Sequence, residues 1–145
     1  RGIPLVINAR VDTFLSSRFT DAEARLEETI ARGEAYAKAG ADCLYPIGPG
    51  DRDTLAVLRS GLAAPLNALA SRDAASLEEM AAIGINRVSF GPFIFRSCLR
   101  RFADIADALQ TGGNYDCFSR ESLTRAEAAV FLTNEQERPP ENADA

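Results

Sequence analysis

Ala39-Gly40-Ala41-Asp42 and Ile83-Gly84-Ile85-Asn86 are two copies of one junction. In each, a glycine follows an amphipathic stretch and a polar residue opens a short apolar run. Glycine just past the last turn is a strong helix stop, because left-handed backbone costs it nothing. The runs that follow, Asp42 to Ile47 (DCLYPI) and Arg87 to Phe90 (RVSF), have the length and the apolar, branched character of strands. Working outward, strands begin near residues 42, 64 and 86, about 22 residues apart, which is one compact helix plus one strand.

The rest of the chain fits that period. Pro4 to Ala9 (PLVINA) is an apolar run expected to form a buried strand. Asp21 to Ala39 is expected to be a helix, with Ala24, Ile30, Ala31, Ala35 and Ala39 among its apolar positions, ending at Gly40. Asp51 to Ser60 reads as a helix with Asp51 as N-cap and Gly61 as its stop. Pro65 to Ala70 (PLNALA) reads as a strand. Ser76 to Ile83 reads as a helix, with Ser76 and Glu79 at the capping-box spacing. A last helix is expected from Pro92 to Gln110, stopping at Gly112-Gly113. Strands alternating with helices imply a parallel α/β sheet of four βα units, spanning residues 1–113. Beyond it, Asn114 to Ser119 is expected as a loop and Ser122 to Thr133 as a short helix with Leu123, Ala126, Val130 and Phe131 apolar. Residues 134–145 (NEQERPPENADA) read as a flexible acidic tail, too poor in apolar surface to order itself.

Composition excludes several kinds of chemistry. The 145 residues contain no His, so Ser-His-Asp and Cys-His nucleophile systems and His-based zinc sites are out. A net charge of −5 argues against nucleic-acid binding, which depends on neutralising phosphates. Nothing approaches the roughly 20 apolar residues of a membrane span, and no signal peptide is visible. Cys43, Cys98 and Cys117 form an odd set without short paired spacing, as in a reduced, cytoplasmic protein. Cys43 and Cys98 read as small core hydrophobes.

Parallel α/β folds place their sites at the carboxyl ends of the strands. At the first such end, Asn8, Arg10 and Asp12 share one face by alternation. Arg10 can grip a carboxylate or phosphate with two prongs, or it can simply bridge to Asp12. Tyr45, Pro46, Gly48 and Gly50 form either a pocket edge or a plain turn, and the turn is favoured. Asn67 either contacts a ligand or stitches two strands together. Ser89-Phe90-Gly91-Pro92 precedes a helix whose N-terminal amides could hold an anion, though Pro92 removes one donor.

The ordered series Ile7-Asn8-Ala9-Arg10-Val11-Asp12, Glu28 to Arg32, Ala39-Gly40-Ala41-Asp42, Pro65-Leu66-Asn67, Leu77 to Gly84 and Arg87-Val88-Ser89-Phe90-Gly91 resembles the isocitrate lyase/phosphoenolpyruvate mutase superfamily over about residues 3 to 110. No single piece is specific; the order is. The resemblance implies strands five to eight, the C-terminal half of a (β/α)8 TIM barrel, which as a whole takes roughly 250 residues. It implies Mg²⁺-dependent making or breaking of C–C or P–C bonds in small 2-oxo or 2-hydroxy carboxylic acids. By the same resemblance Arg10 matches the catalytic, carboxylate-binding arginine, and Asn8, Asn67, Ser89 and Gly91 fall at substrate-binding positions. Val11 stands where the family often has Thr. The metal ligands belong to earlier strands, so Mg²⁺ would have none in this chain. A fragment of this kind is expected to be inactive alone and to form homo-oligomers. The rival expectation is a non-catalytic α/β association module.

Overall fold

A computed structural model describes residues 3–118 and 122–132 of the chain. Its elements run β1 (Asn8–Val11), α1 (Ala22–Lys38), β2 (Cys43–Pro46), α2 (Arg52–Gly61), β3 (Asn67–Leu69), α3 (Leu77–Ile83), β4 (Arg87–Ser89), α4 (Phe93–Gly112) and α5 (Arg125–Leu132). The expected α/β architecture is therefore present. β1 pairs with β2 and β3 with β4, both parallel, and a parallel bridge between Leu44 and Leu66 links the two pairs. The spatial order is the order in sequence, as it is along one side of a βα barrel. The chain divides into two units, up to Arg96 and from Ser97 onward, and all four strands lie in the first.

The two repeated junctions do more than end helices. Gly40 and Gly84 sit at φ +102° and +92°, the left-handed backbone that stops α1 and α3. The polar residue after each then bonds the neighbouring strand at its entrance. The Ile7 amide donates to the Asp42 carboxylate at 2.8 Å, and the Leu66 amide donates to Asn86 Oδ1 at 3.1 Å. One four-residue motif thus terminates a helix and satisfies a backbone amide of the strand before it.

The expected caps are formed. Asp21 accepts from the Ala24 amide, Asp51 from the Thr54 amide, and Ser76 and Glu79 make the reciprocal capping box. Helix α5 starts three residues later than expected, because Thr124 and Glu127 form the reciprocal pair that caps it. Thr133 and the 134–145 tail lie outside the described residues.

Four expectations need correction. The first strand is Asn8–Val11 rather than Pro4 to Ala9, and Ile3, Leu5, Val6 and Ile7 are exposed. Pairing decides this: the run has an apolar composition, but β2 offers partners only from Asn8 onward. Gly61 does not stop α2 but belongs to its last turn. A Cβ there would lie 2.6 Å from Ile30 Cδ1, so its smallness lets α1 and α2 close on each other. The inward face of α1 is Leu26, Thr29, Ile30, Gly33, Tyr36 and Ala37, whereas Ala24, Ala31, Ala35 and Ala39 are exposed. Close packing needs small residues at the contact, and a search for apolar positions overlooks Thr29 and Gly33. Cys98 is exposed on α4 rather than in the core.

The helices bury one face of the sheet. Leu44 and Leu66 pack with Leu58 and Leu62 of and after α2, while Ala68 packs with Leu55 and Met80. Each fully buried Leu contributes about 2 kcal/mol of burial free energy. Among the described residues no helix is long and apolar enough to cross a membrane.

Candidate functional site

Registry places the polar side chains together. Asn8 aligns with Cys43 and Arg10 with Tyr45; Asn67 aligns with Arg87 and Leu69 with Ser89. The Leu44–Leu66 bridge, extended one residue, brings Tyr45 beside Asn67. Because side chains alternate, Ala9, Val11, Leu44, Leu66, Ala68 and Val88 point to the helices. Asn8, Arg10, Tyr45, Asn67, Arg87 and Ser89 therefore share the opposite face, the one that would line a barrel.

Arg10 stands at the carboxyl end of β1 and is tied to Asp12. Its Nε lies 2.7 Å from Asp12 Oδ1 and its Nη2 donates to Oδ2 at 2.8 Å. The internal bridge and the anion grip, left as alternatives by the sequence, are compatible. A guanidinium has five N–H donors in a planar fork, and Asp12 occupies one edge. The other edge remains available for a second carboxylate, at a side chain that is 55% exposed. Asp12 also raises the Arg10 pKa, by hydrogen bonding first and by its charge second, so the grip stays cationic throughout.

Asn67 is 2% exposed and does stitch strands: its Nδ2 donates to Ser89 Oγ at 3.0 Å, and the Ser89 hydroxyl can return a bond to Oδ1 at 3.1 Å. Asn8 has a buried Oδ1 with no hydrogen-bond partner among the described residues. An orphaned buried acceptor costs about 1–3 kcal/mol, so this position is built to receive a donor. Gly91 takes φ +50° two residues after the end of β4, against Leu69. Between Arg10 and Asn67 stands Tyr45, whose phenol is pushed above its ordinary value by burial, against the opposing charges of Arg10 and Arg87. Burial likewise raises the Cys43 thiol, which makes it a poor nucleophile.

The sequence reading passed over Arg87. The signal was present, since Arg-Val-Ser alternates and Ser89 was already a candidate substrate-binding residue. A cavity of about 360 Å³ lies elsewhere, lined by Lys38, Arg59 and Gly61 among others at the carboxyl ends of α1 and α2. That is the amino end of the strands, and Arg59 there is spent on the carbonyls of Leu62 and Ala64. It is packing space rather than a site.

The described residues do not fit Mg²⁺. The ion takes octahedral oxygen ligands, usually with carboxylates among them. Here the face carries two guanidiniums, its nearest carboxylate is engaged by Arg10, and among the described residues no three His, Cys, Asp or Glu converge.

Comparison with known proteins bears on the fold and the family. The family profile of phosphoenolpyruvate phosphomutase matches residues 1–110. An uncharacterized protein of Mycobacterium tuberculosis H37Rv is 30% identical over 112 residues, which are 77% of this chain and 42% of that one. A solved chain from Burkholderia cenocepacia J2315, provisionally described as a lyase/mutase, superposes with a TM-score of 0.74 at 32% identity, covering 90% of this chain and 46% of its own. A 2,3-dimethylmalate lyase of the PEP mutase/isocitrate lyase superfamily shares the fold at a TM-score of 0.64 and 20% identity, over 84% of this chain and 42% of its own. The chain thus spans under half the length of these relatives. With a profile matched from the first strand into α4, the chain belongs to the phosphoenolpyruvate phosphomutase family.

Proposed function

We propose that these four βα units are the acid-gripping side of a lyase/mutase-like site that works on C–C or P–C bonds of small 2-oxo or 2-hydroxy carboxylic acids. The observation that carries this reading is Arg10, held by Asp12 along one edge and open along the other, at the carboxyl end of β1. Arg10 binds the substrate carboxylate and stabilises negative charge that develops beside it. Asn8 stands two residues before Arg10 on the same face, while Asn67, Ser89 and Gly91 shape the far side of the pocket. Mg²⁺, which the resemblance implies, would supply Lewis-acid chemistry only where other polypeptide provided its ligands, because the described residues offer no set for it. The setting is the cytoplasm, consistent with three unpaired cysteines.

The chain is inactive alone on this reading, and it pairs with further polypeptide, in the first instance as a homo-oligomer. The edge of β1 that has no strand partner among the described residues, and the exposed Ile3, Leu5, Val6 and Ile7, support that association. Pyruvate binding to the purified chain, followed by NMR titration, tests the grip. Binding that weakens about tenfold in Arg10→Gln is expected for a lost charge-assisted pair. Unchanged binding in that variant overturns the assignment. Mg²⁺-dependent cleavage of oxaloacetate by the chain alone would contradict the claim that the metal site lies outside it.

A second reading, a non-catalytic association module, has one observation in its favour. Helix α4 exposes Ile94, Phe95, Leu99 and Phe102, an apolar surface of the kind that interfaces cover. A module of that kind would leave pyruvate unbound.

A further inference from the structure

Among the described residues neither β1 nor β4 has a strand on its outer side. The bonds on their paired sides fix what those edges offer. The carbonyls of Ile7 and Val11 accept from the Cys43 and Ile47 amides, so by alternation the backbone groups of Asn8 and Arg10 turn outward. On β4 the Arg87 amide and the Ser89 carbonyl are bonded toward β3, so the backbone groups of Val88 and Phe90 turn outward. The two edges are complementary for strands that run the same way.

Stagger says what can join them. β1 and β2 start level, Asn8 against Cys43, and β3 and β4 start level, Asn67 against Arg87. Between the pairs β3 starts two residues further on, because the Leu44–Leu66 bridge sets Asn67 beside Tyr45 rather than Cys43. A closed eight-stranded βα barrel accumulates a shear of about eight residues in one circuit. Two copies of this half supply about half of that shear, which leaves about two residues for each of two new joints. A joint of that size sets Asn8 of one copy opposite Ser89 of the other. The register also preserves facing: Asn8 and Ser89 both belong to the polar face, while Ile7 and Ala9 come beside Val88 and Phe90 on the helix side. Ile7 and Phe90 are 56% and 43% exposed in the single chain, and the joint covers both.

We propose that a second copy of this chain closes the sheet, β4 of each copy pairing in parallel with β1 of the other, so that one lumen carries Arg10 and Asp12 from both copies. A two-fold axis along the barrel leaves all eight strands parallel and uses both open edges at once. An axis across the strands would set β1 antiparallel to β1 and leave β4 open. The chain covers 46% of the solved Burkholderia chain, so two copies match its length closely. This rests on the reading of the polar face as the lining of a barrel and names the partner which that face requires.

Sedimentation equilibrium of the full chain, together with disulfide trapping across the joint, tests it. The chain is expected to sediment at twice its own mass at micromolar concentration. Ile7→Cys combined with Val88→Cys is expected, with oxidised glutathione, to link two copies between positions 7 and 88, identified by peptide mass spectrometry. Within one chain those positions lie three strands apart, about 14 Å, beyond the reach of a disulfide. Leu5→Cys combined with Val88→Cys is two residues out of register and is expected to link about tenfold less. Ile7→Lys, a charge at an exposed edge residue, is expected to weaken dimerisation about tenfold with unchanged circular dichroism. A chain that stays monomeric at high micromolar concentration overturns the proposal. So does a dimer that does not link 7 to 88, because the copies then meet on another face. Should Ile7→Lys unfold, the 7–88 link alone decides. A linked dimer that fails to bind pyruvate keeps the closure and removes the reading of Arg10, and Arg10→Gln is expected to remain dimeric.

Discussion

Arg10 presents two edges, and Asp12 takes only one of them, so the bridge leaves the other edge exposed. The same attention to surroundings separates the cysteines. Cys43 is buried and its thiol is raised by desolvation, with the Arg87 charge opposing. Cys98 is exposed and Cys117 half-buried. Iodoacetamide at neutral pH should therefore modify Cys98 first and Cys43 last, and mass spectrometry at timed intervals checks the order. Tyr45 offers a second check. Its folded pKa lies above the ordinary 10.0 because burial favours the neutral phenol. The unfolded chain ionises first, so stability from this group is full below pH 10 and falls as pH climbs from there to the folded value. Among the three tyrosines, one should titrate late in ultraviolet phenolate absorbance, and Tyr45→Phe should remove that component. Alternation in Asn-Ala-Arg-Val-Asp made Asn8, Arg10 and Asp12 legible as one face. Arg87 was equally legible in Arg-Val-Ser but carried no motif to draw attention to it.

Elements were read best where one local interaction decides them. Asp21, Asp51 and Ser76 cap their helices as their spacing requires, and each bond closes within three residues. Gly84 is the sharpest case, at φ +92° and ψ 30° after α3. Gly84→Ala forces an L side chain into left-handed backbone and should cost about 1–2 kcal/mol, seen as a lower urea midpoint with unchanged slope. Elements were misread where a partner decides. The run Pro4 to Ile7 has strand composition without a ladder to join. The inward face of α1 is marked by Thr29, whose hydroxyl pairs with that of Thr13, and by Gly33, whose value is its size against Leu44 and Leu62: a Cβ on Gly33 would meet Leu62 Cδ2 at 2.7 Å.

At the scale of the whole molecule, one face of the sheet is paid into the core and the other is left polar. Leu58 is fully buried where α2 meets Leu44, Leu62 and Leu66. Leu58→Ala should destabilise the chain by about 2–5 kcal/mol, because the surrounding leucines can close only part of the void; thermal unfolding followed by circular dichroism measures it. A loss under 1 kcal/mol would mean that the leucine cluster does not carry the fold. The order of strands and helices, their caps, and the presence of Arg10, Asn67 and Ser89 at strand ends were determined by the sequence alone, since each follows from contacts a few residues apart or from a two-residue alternation. Only the tertiary structure decided which polar groups meet. Arg10 and Arg87 are joined through registers of residues 35 and 20 positions apart in the chain, set by backbone bonds such as those to Asp42 and Asn86. A one-residue slip in any of those registers would send half of the row to the opposite face. Local pattern cannot choose among such registers, because the choice is made by hydrogen bonds and leucine packing between segments that the sequence keeps far apart.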